Sequence, residues 1–200
     1  ATIRRTLRLA RVRGVAIGAH PGFADREGFG RRERAIGADE ARRLVLDQWG
    51  DLAALAGAEG VPVRFLKPHG ALYNQAQRDE AIASGVIAAA AARGCPVLGQ
   101  PGSVLEARAR AVGVPFVAEG FADRRYRADG RLVPRAEPDA ILDDPDEIRT
   151  QVLRLAEQGT VATICLHGDD PRSVALADLV RSALGGAGVR IRGFAAEGRE

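Results

Sequence analysis

Each of the three histidines in this chain, and its only lysine, stands where a β-branched or apolar run gives way to a glycine-containing turn. VAIGAHPGF holds His20, FLKPHGALYN holds Lys67 and His69, and ATICLHGDD holds His167. In a parallel α/β fold such strand ends gather on one face and carry the reactive groups, while strand centres supply packing. Imidazoles titrate near neutrality and suit general acid–base work. With nearby aspartates they could instead hold a divalent ion that polarises an amide carbonyl or activates water, although no HExxH or comparably tight ligand spacing is present.

Among 29 lysines and arginines, Lys67 is the one lysine. An ammonium can lose its proton when buried and is a compact donor, neither of which a guanidinium offers, so a specific role is expected. Tyr73 and Asn74 follow it and either orient a small amide or carboxylate or begin the next helix. The glycine-rich stretch GAHPGFADREGFGRRE, residues 18–33, is expected to shape a pocket. It lacks a GK[ST] ending and a GxGxxG, so it is no self-contained nucleotide loop. Its Arg31 and Arg32 either grip a substrate carboxylate bidentately or are solvated. EGFADRRYRADG places Glu119, Asp123 and Arg124 directly after a strand. There they serve as base, substrate contact or metal ligand, or else form a salt-bridge set under a hairpin. In CLHGDD, Asp169 sits two residues from His167 and either orients a histidine or ligates metal. Asp170 is read as a helix cap.

Short β-type runs alternate with helical stretches, the pattern of βαβ units and a parallel sheet. Strands are expected near 15–19, 62–66, 95–99, 114–118, 160–166 and 189–193. A helix over 39–58 carries Val45, Trp49, Leu52, Ala53 and Ala56 on one face. Another over 145–158 begins with Asp144 as cap, Pro145 at the first position and Glu147 completing a capping box. A third over 171–184 repeats the Asp-Pro start and stops at Gly185-Gly186. YRADGRLVPR, residues 126–135, reads as a hairpin inserted between strand and helix. The six strands, with one more expected ahead of the opening helix-like segment ATIRRTLRLARVRG, imply a seven-stranded β/α barrel, with a flat doubly wound sheet as the alternative. No repeat or linker divides the chain, so residues 1–200 are expected to form one domain.

A chain of 200 residues, 46% hydrophobic and 28% charged, has the makings of a packed core. A net charge of +3 raises nucleic acid as a partner, but the arginines are interspersed with nearly as many carboxylates and aromatics are only 4%, which argues against both a basic face and a stacking platform. No long apolar run indicates a membrane span and no signal peptide is evident, so a cytoplasmic protein is expected. Cys95 and Cys165 have no CxxC partner and are read as reduced, buried thiols. The absence of any methionine leads to the expectation that an N-terminal segment precedes this sequence.

GVAIGAHPGFADREGFGRRE, KPHGALYN, EGFADRRYRADGRLVPR and ICLHGDDPRSVALA, in that order and over nearly the whole chain, resemble the LamB/YcsF family, whose bacterial members form the A component of the ATP-dependent 5-oxoprolinase. The resemblance implies a seven-stranded barrel akin to glycoside hydrolase and polysaccharide deacetylase barrels, here without its first strand. It also implies ATP as co-substrate, 5-oxoproline as substrate, and subunits B and C as partners. The family's DLNCDLGE-like opening strand and ACGFHAGDP-like loop do not occur in this sequence. On that resemblance His20, His69 or His167 is the general base, Lys67 stabilises an oxyanion or phosphate, and Asp169 orients its histidine neighbour. A metal-dependent amidohydrolase or deacetylase acting without ATP, and a non-catalytic protein that holds the lactam for its partners, are the alternatives.

Overall fold

The computed structural model describes residues 2–135 and 137–194. The fold is α/β with parallel strands, and the chain divides into two compact units, residues 1–117 with the segment from 193, and residues 118–192.

In the first unit, strands β1 (Ile17–Ala19), β2 (Val63–Leu66) and β3 (Val97–Gly99) pair in parallel in that order. Ala19 lies opposite Leu66, and Leu66 opposite Val97. Five helices belong with them: α1 (Thr2–Arg13), α2 (Ala38–Ala58), α3 (Gly70–Ala76), α4 (Glu80–Arg93) and α5 (Val104–Val112). The expected apolar stripe of α2 is the one that packs, with Val45, Trp49 and Ala56 buried and Leu52 and Ala53 set against the same core. α4 is alanine-rich and buried along most of its length because it lies tightly on α2. Gly85 makes that approach possible, since a Cβ there would sit 2.3 Å from the Ala38 carbonyl oxygen and 2.7 Å from the Ala41 Cβ. α1 is fastened from outside: buried Glu59, just past α2, takes ion pairs from Arg4 and Arg8, while its main-chain carbonyl accepts from Arg11.

In the second unit, the end of β4 (Phe116–Phe121) pairs in parallel with β5 (Thr163–Cys165), Phe121 lying opposite Cys165. Helices α6 (Pro145–Gln158) and α7 (Ser173–Gly186) enclose a core of Ile148, Val152, Leu176, Val180 and Leu184. Asp144 caps α6 by accepting from the Asp146 N–H at 2.8 Å. Glu147 does not close the expected capping box; its carboxylate pairs with Arg125. The 126–135 segment forms the expected tight turn, with a Tyr126–Leu132 bridge and the Arg127 N–H donating to the Arg131 carbonyl. α7 begins two residues later than expected. The Asp170 carboxylate accepts from the Arg172 N–H and guanidinium instead of capping the helix, and this pairing holds its acid at about 2.

The strand expected at 189–193 is not formed. Gly188 takes a left-handed φ of 75° and the Val189 N–H closes the end of α7 on the Leu184 carbonyl, so the segment begins as a helix terminator and Ile191 stays half exposed. Among the described residues there are therefore five strands. Neither cysteine is in a disulfide; Cys95 is buried, which pushes its thiol up to about 11, and Cys165 is half-buried. No described helix is long and apolar enough to cross a membrane.

Gly85→Ala should force α2 and α4 apart and destabilise the protein by about 1–3 kcal/mol, the usual range for overpacking. Urea unfolding should show a lowered midpoint with an unchanged slope; an unaltered midpoint would refute the close-packing account.

Candidate functional site

The chemistry-bearing residues of the first unit sit just past β1 and β2. Because Ala19 and Leu66 are in register, the next residues, His20 and Lys67, are neighbours across the ladder. The His20 ring reaches the Lys67 carbonyl through Nδ1 at 2.7 Å. Its Nε2 lies 3.0 Å from Nδ1 of His69, and Nε2 of His69 lies 2.8 Å from the Phe29 carbonyl. The Lys67 ammonium stands 6.0 Å from the centre of the Tyr73 ring, within reach of a cation–π attraction. Tyr73 is buried in α3, whereas Asn74 lies exposed on the same helix. Both Lys67 and His69 lie beyond the strand, since β2 ends at Leu66 and His69 precedes the first turn of α3.

The 21–34 loop is an ordered structure. Gln48 exchanges two hydrogen bonds with the Gly22 main chain, and Gln75 does the same with Arg34, so two side-chain amides replace the ladder partners that this backbone lacks. Asp25 accepts from the Gly28 N–H at 2.9 Å and its carbonyl from the Gly30 N–H at 2.8 Å, closing a turn that holds Phe29 at a φ of +54°. A non-glycine residue in the left-handed region is strained and survives only where its surroundings over-determine it. Arg31 lies over the exposed Phe29 ring at 4.9 Å. Arg32 points into the loop's own acids, Asp25 and Glu27, which favours a structural role for it over substrate binding.

In the second unit, Asp123 and His167 stand two residues beyond Phe121 and Cys165, which are register partners. His167 Nδ1 lies 2.9 and 2.8 Å from the two Asp123 oxygens, and its main-chain N–H donates to the same carboxylate at 3.2 Å. Burial alone would raise the Asp123 acid, but hydrogen bonds and charge from His167 outweigh it and hold it below the usual carboxylate range. Facing an ionised carboxylate, Nδ1 carries the ring proton, which leaves Nε2 of the neutral ring as a basic lone pair. Phe121 stacks on the imidazole at 5.9 Å and fixes its plane. The residue that orients His167 is therefore Asp123 and not Asp169, whose carboxylate lies 3.7 Å from Arg135. Chain separation explains the difference: Asp123 is 44 residues away in sequence but one strand away in the sheet. Arg124 is buried and donates to the Ala140 and Val133 carbonyls, so it buttresses the hairpin insertion. Glu119 is buried in β4, where its charge adds to the burial that raises the Tyr126 phenol. Tyr126 accepts from the Phe121 N–H.

Among the described residues no three His, Cys, Asp or Glu side chains form a group that could hold a metal ion.

The LamB/YcsF family model matches residues 1–199. The chain belongs to the LamB/YcsF family. This member is similar to the A component of 5-oxoprolinase from Symbiobacterium thermophilum, 45% identical over 203 residues that cover 94% of this chain and 78% of the relative. It is also similar to the A component of 5-oxoprolinase from Methylococcus capsulatus, 44% identical over 200 residues, covering 93% and 77%. The crystal structure of the lactam utilization protein from Thermus thermophilus matches this LamB/YcsF chain with a TM-score of 0.86 at 41% identity, covering 96% of this chain and 82% of that one.

Two outcomes follow from the Asp123–His167 geometry. A carboxyl held below its ordinary value, near 4, contributes stability that is complete above about pH 5 and is lost as pH falls through the lowered folded value. The stability difference between wild type and Asp123→Asn should therefore shrink as pH falls below about 5; a difference independent of pH from about 5 down to about 3 would contradict the pairing. In ¹⁵N-imidazole spectra at about pH 8, where an ordinary imidazole is neutral, His167 should carry its proton on Nδ1, and in Asp123→Leu the proton should move toward Nε2.

Proposed function

We propose that this chain acts as the A component of an ATP-dependent 5-oxoprolinase, working in the cytoplasm with subunits B and C to open the 5-oxoproline lactam to L-glutamate. The observation that carries the proposal is the Asp123–His167 pair, a carboxylate-oriented imidazole with a basic nitrogen, in a chain whose relatives are named for that enzyme. The seven-stranded β/α barrel belongs to the same proposal, supported by the strand-helix alternation of both units.

A five-membered lactam is a stable amide whose carbonyl carbon resists attack by water. Transfer of the γ-phosphoryl group of ATP to the carbonyl oxygen gives that carbon a phosphate leaving group. No phosphate loop of the GK[ST] kind occurs in this sequence, so ATP enters as a co-substrate of the complex. His167 takes a proton from water as its oxygen adds to the ring carbon. The role assigned to Lys67 is to stabilise an oxyanion or a phosphate. The C–N bond then breaks, the departing nitrogen keeping the electron pair and accepting a proton, and the acyl phosphate so formed takes a second water at its carbonyl carbon, which releases inorganic phosphate and leaves the γ-carboxylate of glutamate. Arg31, whose guanidinium lies over the exposed Phe29 ring, is the residue of the loop assigned to the substrate carboxylate.

The experiment is 5-oxoproline-dependent ATP hydrolysis with glutamate release, measured for the full-length protein alone and mixed with subunits B and C. Turnover in the mixture supports the proposal; a silent mixture alongside simple-amide hydrolysis by metal-loaded protein alone replaces it with the amidohydrolase reading. Lys67→Ala should lower kcat by about two to three orders of magnitude, the range seen when one oxyanion donor is removed, with no change in Tm. Wild-type turnover in that variant removes Lys67 from the scheme.

A further inference from the structure

The rings of His20 and His69 make three contacts in a row: Lys67 carbonyl to His20 Nδ1 at 2.7 Å, His20 Nε2 to His69 Nδ1 at 3.0 Å, and His69 Nε2 to the Phe29 carbonyl at 2.8 Å. The two ends are carbonyl oxygens, which only accept. His20 must therefore donate from Nδ1 and His69 from Nε2. Once those protons are assigned, the inner nitrogens face each other with two lone pairs unless a third proton lies between them. Two neutral imidazoles carry two protons; this arrangement needs three.

We propose that His20 and His69 share one proton, so that a single positive charge spread over both rings fastens the 21–34 loop in the conformation that presents Phe29 and Arg31. The loop is built around this pair. A Cβ at Gly22 or at Gly30 would lie 3.2 Å from His69 atoms, and one at Gly70 would lie 2.5 Å from the Gly30 carbonyl oxygen. The Phe29 ring meets the His69 ring edge-on at 5.3 Å, and His20 meets it edge-on at 4.8 Å. The bond from His69 Nε2 lands on the carbonyl of Phe29, the left-handed residue of the loop. Charged and titratable groups near the pair include Lys67 just past β2, Tyr73 on α3 and Arg31 in the loop, with Asp25 and Arg32 elsewhere in that loop. When the shared proton leaves, the two lone pairs repel and one ring must turn away, so the Phe29 contact is released. His20 and His69 are thus positioning residues for the loop whether or not the lactam reading holds; under that reading they keep Arg31 in place.

With three histidines in the chain, ¹⁵N-imidazole spectra of the full chain are assignable by single substitutions. At about pH 7, near the ordinary imidazole range, the wild type should show His20 Nδ1 and His69 Nε2 both protonated, with the two inner nitrogens between protonated and unprotonated positions. On raising the pH, the Phe29–His69 ring contact, followed by its nuclear Overhauser effect, should fade with the midpoint of that third proton. His20→Ala removes the facing lone pair and lets neutral His69 hold the Phe29 carbonyl by itself, so in that variant the ring contact should persist to high pH. Two rings carrying one proton each at neutral pH would overturn the proposal, as would a ring contact with the same pH dependence in His20→Ala as in wild type. The wild-type proton count decides the matter even if the variant does not fold, and because neither readout uses turnover, its failure is separable from failure of the lactam reading.

Discussion

The first unit depends on one ring. His69 sits ahead of α3 with an extended backbone, φ −103° and ψ 147°, and its main-chain N–H is fastened to the Pro21 carbonyl at 2.8 Å. Its side chain then fills a space walled by Gly22 and Gly30, with Gly70 letting the two backbones approach. The Ala71 N–H donates to the Gly30 carbonyl at 2.9 Å, and so ties the start of α3 to the same loop. A side chain at any of these three glycines would need either the ring or a backbone to move, which explains why a stretch rich in glycine is ordered here. The left-handed Phe29 follows from that constraint, since the Asp25 turn and the His69 bond act on the same peptide from two sides.

The second unit solves a different problem with simpler means. Parallel strands carry residues at equal offsets beyond register partners to the same place, so Asp123 and His167 meet without any local motif. The low acid of Asp123 is the electrostatic record of that meeting, because a buried carboxylate without a donor would be pushed upward instead. Gln151 supports the turn beneath it. From its buried place in α6 its amide nitrogen reaches the carbonyls of Phe121, Ala122 and Arg124, the residues flanking Asp123.

Proton accounting distinguishes the two arrangements. The Asp123 carboxylate fixes one proton on Nδ1 of His167 and leaves a basic nitrogen; the two carbonyls on either side of the His20–His69 pair demand protons from both outer nitrogens and so load the pair with one more than neutral rings carry. The same side-chain type is thereby set up as a base in one place and as a fixed cation in the other, by partners that are respectively a charged acceptor and neutral acceptors.

The sequence by itself determined the alternation of strands and helices, the four segments that carry chemistry, and the family. These are local properties: apolar period, capping chemistry and turn residues are written within a few positions of where they act. It could not separate Arg31 from Arg32, identify Asp123 as the partner of His167, or recognise Gln48 and Gln75 as staples, because each depends on which distant segment lies alongside. The left-handed backbone of Phe29 is fixed only by the positions of Asp25 and His69. The segment 189–193 erred in the other direction: its alternation fits a strand, yet a strand also needs a ladder partner, and Gly188 commits the chain to ending α7 first. Tertiary structure decided those points because register, close backbone approach and proton count are properties of pairs of segments, and a single stretch of sequence specifies only one member of each pair.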